Sequence, residues 1–525
     1  MLTMRTNQVF KKVLGFIVAA SIFLSGCTLT ERLESDTQSG AVQNTVVRQE
    51  NVIGLGYYSA EKVNPVTSMS DINAVLCNAL YESLFVLDEN FVPQKVLCEE
   101  YSVSPDGLVY AFRLVDGITF WSGEPLTASD VAESYRLVKN SPGTKYYSRF
   151  AEVVKIGILD DRTVEITLSQ PNADFVSLLD IPVFRFGTAG EAFAEGTGPF
   201  MPVREDGEFH LEAFPDWRGE RNPEIDRISL VTTVRPKSIV HSFSTGDVFM
   251  TRAERICDDP MSPSGAVDVY QTPSTEMHYL GVNMTRELTA QPAFRRGLSA
   301  LLDRSSICEN ALQTYADPAL LPENPQPDAV TEQSYLTDIG QAMTLFEQIG
   351  VTDSNGDGYL DYAMQGTVTR QPVILTVLVN QENAYKQAVL SQIAVFFAQA
   401  GIQTEIVSVD FETYLLELEA GNFDLYYGDV VLQPDFDVRT LLATAGKLNY
   451  GKYTDVVMDG LLTEERAWGS ESAKNNFQDY FLQQMPIIPF AFERMQVVLR
   501  GGLLQNYEAA PAQMFISYPA WRMGS

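Results

Sequence analysis

The sequence predicts an α/β protein with more than one domain. Its 525 residues are too many for one hydrophobic core, and the length indicates roughly two to four domains. In the second half, "PVILTVLVN", "YKQAVLSQIAVFFAQAGI" and "QTEIVSVD" have the patterns of a strand, a helix and a strand. This order at this spacing predicts a βαβ unit with parallel strands. The hydrophobic fraction of 45% and charged fraction of 20% are those of an ordinary globular protein.

The N-terminus indicates export. Basic residues precede an apolar run from Val13 to Leu24, which is too short to span a bilayer but fits the core of a signal peptide. The following "LSGC" is similar to the lipobox of bacterial lipoproteins, which implies cleavage before Cys27 and a diacylglycerol on its thiol. We therefore expect a lipoprotein signal peptide at residues 1–26 and a flexible, polar tether at residues 27–50. An uncleaved anchor and an ordinary secretory signal are the alternatives.

The charge argues against nucleic-acid binding. The formal net charge is −31, from 37 basic and 68 acidic residues, and no basic stripe interrupts the sequence. An acidic surface suits a protein exposed beside other anionic surfaces. It does not indicate the ligand.

The first half contains a strand, "NVIGLGYY", and a helix, "DINAVLCNALYESL", that begins at Asp71. The segment "LVYAFRLVDGITFW" predicts a hairpin that turns at Asp116–Gly117. Thr127 is a plausible N-cap for a helix that runs to about Lys139, and "TVEITLSQP" predicts a further strand.

The second half contains further amphipathic segments. "FRRGLSALLDRSSICENAL" predicts a helix, and "TYLLELEAG" followed by "NFDLYYGDVVL" predicts a helix and a strand. Gly401 is a probable C-cap of the helix in the βαβ unit.

Several of these segments, in this order, resemble the family 5 extracellular solute-binding proteins of ABC importers, which include oligopeptide- and dipeptide-binding lipoproteins. The resemblance extends over about residues 50 to 520 and is most specific around "SPDGLVYAFRL…GITFWSGEPLTASDV". Further matches are "VNPV", "DDRTVEITLSQP", "GTGPF", "YLGVNM", "FRRGLSALLDRSSI" and "GIQTEIVSVDFETYLLELEAGNFDLYYGD".

The resemblance implies an α/β, two-lobed periplasmic-binding-protein-like fold of type II, with an extra inserted domain and a two-strand hinge. The implied domains are a discontinuous domain I at residues 51–75, 186–275 and 495–525, domain II at residues 76–185, and the α/β domain III at residues 276–494. The ligand is then expected between the lobes.

The resemblance also implies the ligand-binding positions. Peptide-binding relatives pair an acidic residue of domain III with the ligand's α-ammonium, and the matching position here is Gln433, which cannot neutralise an ammonium. Either Asp429 or Asp435 takes that role, or the ligand is not a peptide with a free amino group. The complete set of candidates is Met69, Asp71, Tyr147, Tyr279, Asn380, Phe411, Glu419, Tyr427, Asp429, Val430, Val431, Gln433 and Asp435.

No catalytic constellation is visible. The histidines His210, His241 and His278 have no HExxH spacing and no GxSxG partner, so we expect no enzyme and no cofactor apart from the covalent lipid. His278 could line the cleft, although a packed strand histidine is the simpler interpretation. The four cysteines after Cys27 contain no CxxC, and disulfides between Cys77 and Cys98 or between Cys257 and Cys308 are left open.

One acidic loop, "DSNGDGYLDY", is close to a calcium-binding pattern. Asp353, Asn355, Asp357 and Asp361 occupy positions 1, 3, 5 and 9 of an EF-hand-like loop, but position 12 is Met364 rather than Glu. A structural turn is favoured, with a weak calcium site as the alternative, and no metal site is assigned.

The expected function is the membrane-tethered, extracellular substrate-binding component of an ABC importer. It would capture a small solute, most plausibly a peptide, and deliver it to the permease subunits as a monomer. A ligand-sensing receptor lipoprotein, or import of a sugar or a metal chelate, are the alternatives.

Overall fold

The computed structural model describes residues 53–222, 224–257, 265–510 and 513–524. The predicted signal peptide, Cys27 and the predicted tether lie outside these residues. Residues Asn51–Ser525 group as one compact unit. Within the described residues, no helix is long and apolar enough to cross a membrane.

The helices are concentrated in the second half of the chain. The α-helices are Asp71–Leu80, Ala128–Lys139, Ile239–Thr245, Pro292–Leu301, Arg304–Ser306, Ile339–Gln348, Ala384–Gln399, Phe411–Ala420, Arg439–Leu442, Val456–Trp468 and Glu471–Gln484. A π-helical turn, Ile307–Ala311, follows directly on the fifth of them. The short 3₁₀ segments are Tyr147–Phe150, Phe175–Leu179, Pro236–Ser238, Glu332–Tyr335 and Tyr518–Ala520.

The strands form three main sheets and several two-stranded ribbons. Their bounds are Ile53–Tyr58, Phe85–Leu87, Pro93–Lys95, Cys98–Val103, Val109–Leu114, Val153–Asp160, Thr163–Leu168, Phe200–Glu205, Glu208–Ala213, Arg227–Thr233, Met250–Ala253, Val267–Val282, Ala316–Pro318, Asp361–Ala363, Arg370–Pro372, Ile374–Asn380, Gln403–Val409, Leu425–Val431, Ile487–Arg500, Leu504–Gln505 and Arg522–Met523.

The largest sheet contains the predicted βαβ unit. Ile374–Asn380 and Gln403–Val409 pair in parallel, and the helix Ala384–Gln399 connects them. Gly401, with φ of +79°, follows the end of that helix as expected. Leu425–Val431 continues the sheet on the other side of Ile374–Asn380, so this part of the fold is confirmed.

Buried apolar residues form two large cores. The first draws on residues between Ile53 and Met250 and between Val497 and Trp521, and the second on residues between Ile256 and Phe492. We call the elements around these cores the first lobe and the second lobe. The numerical limits of the three predicted domains stay predictions.

Two long antiparallel strands, Val267–Val282 and Ile487–Arg500, run from one core to the other. Val267–Pro273 pairs with residues 494–500, and Met277–Gly281 pairs with residues 487–492. The register shifts between Pro273 and Met277. An irregularity of this kind bends a strand pair locally, so the pairing is interrupted where the strands pass between the lobes.

Three local predictions differ from the structure. Asp116–Gly117 forms a turn, but Val109–Leu114 pairs with Cys98–Val103 and with Thr163–Leu168, not with the residues that follow Gly117. The hairpin prediction is therefore wrong, because a local turn signal does not determine which strand supplies the better partner.

The predicted helix "FRRGLSALLDRSSICENAL" is interrupted after Leu301. Asp303 has an extended backbone, and its side chain accepts a hydrogen bond from the Ser306 N–H, so a new helical segment begins there. Similarly, the helix that begins at Asp71 ends at Leu80, earlier than its apolar pattern suggested.

Two glycines allow close packing between the strands Val267–Val282 and Leu425–Val431. Tyr279 lies opposite Gly428, and Tyr426 lies opposite Gly281. A Cβ on Gly281 would lie 2.0 Å from the Tyr426 ring, and one on Gly428 would lie 2.3 Å from the Tyr279 ring. Each glycine therefore makes room for the aromatic ring opposite it.

We expect Gly281→Ala to lower the free energy of unfolding by about 1–3 kcal/mol, because the added methyl group overpacks this contact. Chemical denaturation would measure the change. Gly460→Ala is the matched control, since Gly460 lies inside the helix Val456–Trp468 with no atom within 4 Å of its added Cβ. That variant should gain about 0.5–1 kcal/mol. Equal stability of Gly281→Ala and wild type would contradict the packing argument.

Candidate functional site

Charged side chains gather where the two long strands enter the large sheet. His278 on Val267–Val282 lies opposite Asp429 on Leu425–Val431, and Glu276 lies opposite Val431. Because side chains alternate along a strand, these four residues share one face of the sheet. Glu493 comes from the other long strand, within the interval in which the register shifts.

His278 is the buried centre of this group, with a side chain that is 1% exposed. Its Nδ1 lies 3.1 Å from the hydroxyl of Tyr427, and its ring stacks on Phe490. Its Nε2 lies 3.7 Å from Oε2 of Glu493. Among the described residues, no group lies within hydrogen-bonding distance of Nε2.

The carboxylates around His278 repel one another. Burial, followed by the charge of Glu493, raises the pKa of Glu276 to about 7, and Asp429 and Glu254 add to this effect. Burial, followed by the charge of Asp71, likewise raises the pKa of Glu254. Negative charge therefore exceeds positive charge around His278. This excess favours the binding of a cation.

Lys386 provides one positive charge beside this group. Its Nζ lies 2.9 Å from Oδ1 of Asp429 and 5.7 Å from the centre of the Tyr427 ring. Lys386 lies in the first turn of the helix Ala384–Gln399, which the side chain of Asn383 caps. This ion pair neutralises Asp429 and leaves Glu276 and Glu493 as the less compensated acids.

Two cations of the first lobe share a small cavity. Lys145 and Arg252 line a cavity of about 60 Å³, which also contacts Cys77 and Tyr146. Within the described residues, neither cation forms an ion pair with a carboxylate. The positive charge of Arg252 opposes the rise in the pKa of Glu254, so this one cation acts on an acid of the neighbouring group.

A model of the family described as "Bacterial extracellular solute-binding proteins, family 5 Middle" matches residues 92–449. The chain belongs to this family. It has the two-lobed α/β fold of type II expected of a family 5 protein, and it is a solute-binding protein rather than an enzyme.

Individual relatives of this family 5 protein are distant in sequence. The glutathione-binding protein GsiB of Escherichia coli K12 is 23% identical over 471 residues, which cover 82% of this chain and 87% of the relative. The unliganded, open form of MppA, a periplasmic murein tripeptide binding protein, superposes with a TM-score of 0.71 at 18% identity, covering 91% of this chain and 98% of MppA. NikZ of Campylobacter jejuni, in complex with Ni(L-His), gives a TM-score of 0.60 at 19% identity, covering 90% and 99%. These structural likenesses establish the fold.

Some of the predicted ligand residues of this family 5 protein are large apolar side chains left in contact with solvent. Met69 is 60% exposed, Tyr147 42%, Phe411 50% and Val431 65%. Asp71 and Glu419 are also exposed. Their role in binding stays a prediction, and their exposure leaves them accessible to a ligand.

Other predicted residues are placed for packing. Tyr279 is 4% exposed and packs against Gly428 on the opposite face from Glu276 and His278, which favours a core role over ligand contact. Asn380 is 8% exposed and accepts a hydrogen bond from the Glu382 N–H. Val430 is partly buried against the second core.

Gln433 and Asp435 lie at the contact between the lobes. Gln433 donates to the Ser148 hydroxyl at 2.9 Å, and Asn172 donates to Asp435 at 3.1 Å. Asp435 also binds Arg466 at 2.9 Å, and its side chain is 2% exposed. Its charge is thus already paired, which disfavours Asp435 as the partner of a ligand's ammonium.

Arg466 connects the lobes directly. Besides Asp435 it contacts Glu152 of the first lobe at 2.6 Å. Arg439 contacts the same carboxylate at 2.7 Å and pairs with Asp437. Beside this network lies a cavity of about 410 Å³, lined by residues of both lobes that include Phe91, Phe436 and Phe477.

The acidic loop is stabilised by its own contacts. Asp353 accepts hydrogen bonds from the backbone N–H groups of Gly356 and Gly358 at 2.7 and 2.9 Å, and Asn355 donates to Asp357. Asp361 is bound by Arg370, which lowers its pKa. In the part of the chain that the structure describes, no three His, Cys, Asp or Glu side chains are arranged to hold a metal. These contacts favour the structural turn.

No disulfide joins Cys77 to Cys98 or Cys257 to Cys308. Burial raises the pKa of the Cys77 thiol to about 12 and that of Cys98 to about 11. Both thiols therefore stay protonated at neutral pH and pack as small apolar groups.

Residue-level prediction did not select Glu276, Glu493, Lys386, Lys145 or Arg252. Glu276 could have been recognised, because it precedes His278 by two positions and must share its strand face. The others come from distant segments, and no local pattern connects them with the cleft.

We expect Arg466→Met to lower the free energy of unfolding by about 3 kcal/mol, because the change leaves Asp435 and Glu152 buried without their shared cation. Urea denaturation would measure it. Arg466→Lys, which keeps the charge, should lose less. If both variants unfold at the wild-type midpoint, the ion network does not stabilise the lobe contact.

Proposed function

We propose that this solute-binding protein captures short peptides and delivers them to the permease subunits of an ABC importer, while a lipid on Cys27 tethers it to the membrane. The observation that supports a peptide is that acidic and basic side chains without ion-pair partners both occur among the described residues. In the part of the chain that the structure describes, the long strands carry two carboxylates without a Lys or Arg partner, Glu276 and Glu493. The first lobe carries two cations, Lys145 and Arg252, that have no carboxylate partner among the described residues. A peptide carries both complementary charges at its ends.

The exposed apolar residues support the same proposal. Met69, Tyr147, Phe411 and Val431 would cover the middle of an extended ligand, whose backbone polar groups can pair as in strand addition. Burying these side chains against a ligand would also favour closure of the lobes, because removing apolar surface from water is favourable. The interrupted pairing between Pro273 and Met277 supports a hinge there for that motion.

The names of two relatives agree with a peptide ligand, since GsiB is called glutathione-binding and MppA murein tripeptide binding. NikZ was solved with Ni(L-His), so a metal chelate is a competing ligand class. His278 is buried at 0% exposure, and His210 lies 3.0 Å from Glu212 on a neighbouring strand position. Neither of these two is free to ligate a metal chelate, which favours the peptide, and the third histidine, His241, is exposed on the short helix Ile239–Thr245.

A thermal-shift screen against peptides, oligosaccharides and nickel chelates tests this function. Ligand that binds only the folded state at 100-fold excess over Kd should stabilise it by about 2.7 kcal/mol. We expect such stabilisation from short peptides and no turnover of them. Stabilisation by sugars alone, or by nickel chelates alone, would overturn the peptide proposal.

The tether is tested separately. Cys27→Ser should release the protein from the membrane fraction into the medium or the periplasm, because it removes the thiol that carries the lipid. Cell fractionation with immunoblotting measures the change, and Cys257→Ser serves as a control that keeps the lipobox. A Cys27→Ser protein that remains membrane-bound would indicate an uncleaved anchor instead.

A further inference from the structure

We propose that Glu276 and Glu493, one on each of the two long strands, form the subsite that binds the ammonium group of the peptide and selects ligands with a free amino terminus. This inference rests on the proposed peptide-binding function. It assigns the recognition of the ligand's positive charge to the strands between the lobes, and not to Asp429 or Asp435 of the second lobe.

The first argument is the state of the four candidate acids. Asp429 is paired with Lys386 at 2.9 Å, and Asp435 is paired with Arg466 and bonded to Asn172. Within the described residues, neither Glu276 nor Glu493 has a Lys or Arg partner within ion-pair distance. A ligand cation therefore gains most next to these two glutamates.

The second argument is the unsatisfied nitrogen of His278. Its ring is fully buried, Nδ1 is oriented by Tyr427, and Nε2 points to Glu493 from 3.7 Å without a hydrogen bond. Buried polar atoms in native proteins nearly always find a partner. A bound ammonium that fixes the position of the Glu493 carboxylate would allow the distance between His278 Nε2 and Glu493 Oε2 to shorten to that of a hydrogen bond.

The third argument is the position of the glutamates in the strands. Glu276 lies in the interval between Pro273 and Met277 where the register shifts, and Glu493 lies between the two paired stretches of its own strand. The Ser274 hydroxyl donates to the main-chain carbonyl of Glu493 at 2.6 Å and accepts from the Glu276 N–H at 3.1 Å. The backbones of both glutamates are thus held at the same interruption of the pairing.

The charges around Glu276 determine the pH range in which it is ionised and can bind an ammonium. Burial is the main cause that raises the pKa of Glu276, to about 7. The negative charges of Glu493, Asp429 and Glu254 also raise it, and His278 lowers it. Lys386 pairs with Asp429, and Arg252 lies near Glu254. The ionised form of Glu276, which binds an ammonium, is complete above this pH and is lost below it.

The same pKa has a consequence for stability without ligand. Because the folded-state pKa of Glu276 lies above its unfolded value of 4.5, its cost to stability is absent below about pH 4.5 and grows as the pH rises toward 7. Glu276→Gln should therefore melt at a higher temperature than wild type at pH 8, and at about the same temperature at pH 4.5. This control shows that the variant is folded before binding is measured.

Isothermal titration calorimetry with a mixture of tripeptides, and with the same mixture N-acetylated, tests the subsite. We expect wild type to bind the free-amino mixture most tightly at pH 8 and to lose up to about tenfold in affinity per pH unit below pH 7. Glu276→Gln should weaken binding at pH 8 about tenfold or more, as expected for the loss of one charge-assisted contact, and should flatten the pH profile. Glu493→Gln should act in the same direction, and Glu309→Gln, an exposed acid outside the cleft, should match wild type.

The outcomes separate this inference from the proposed function. Binding of both peptide mixtures with equal affinity, or an unchanged affinity and pH profile in both glutamate variants, would overturn the ammonium subsite and leave peptide capture standing. No binding of either mixture by wild type would overturn both. Stabilisation of wild type by Ca²⁺ or Ni²⁺ alone, lost in Glu276→Gln, would identify the subsite as a metal site and overturn the assignment to an ammonium.

Discussion

The pairing of Val267–Val282 with Ile487–Arg500 is the constraint on which the rest of the structure depends. These strands belong to segments far apart in the chain. Ile487–Arg500 contributes buried residues to both cores, and Val267–Val282 contributes to the second core and packs Tyr270 against the first. Their pairing is interrupted between Pro273 and Met277, and the register shifts again between His278 and Tyr279. The lobes are therefore joined by a strand pair whose longest gap in pairing lies between Pro273 and Met277.

The same strands concentrate electrostatic cost at the cleft. Burying Glu276 and placing Glu493 beside it is unfavourable, and the raised pKa of Glu276 reflects both causes. Proteins retain such arrangements mainly at functional sites, where a ligand supplies the missing charge. By contrast, each carboxylate of the network at the lobe contact, Asp435, Asp437 and Glu152, lies within ion-pair distance of Arg439 or Arg466, and such pairing suits a structural contact between the lobes.

Much of the fold could be predicted because its signals are local. The capping box of Thr127 and Asp130, the Asn383 cap and Gly401 delimit helices by short-range hydrogen bonds and backbone conformation. The predicted hairpin at Asp116–Gly117 and the continuous helix after Phe294 were wrong for the converse reason. Strand partners and the interruption at Asp303 depend on contacts made only when the chain is packed.

By itself, the sequence determined the α/β class, the order of most elements and the resemblance to the solute-binding family, since periodicity, caps and motifs are properties of neighbouring residues. It also predicted a ligand-binding role for Met69 and Phe411, which are exposed in the structure, and that role stays a prediction. Only the tertiary structure decided which charges are paired. Folding brings together residues that are distant in sequence: Lys386 with Asp429, Arg466 with Asp435, and Glu276 with Glu493. Whether a charged side chain can bind a ligand depends on which charges lie next to it in the folded protein.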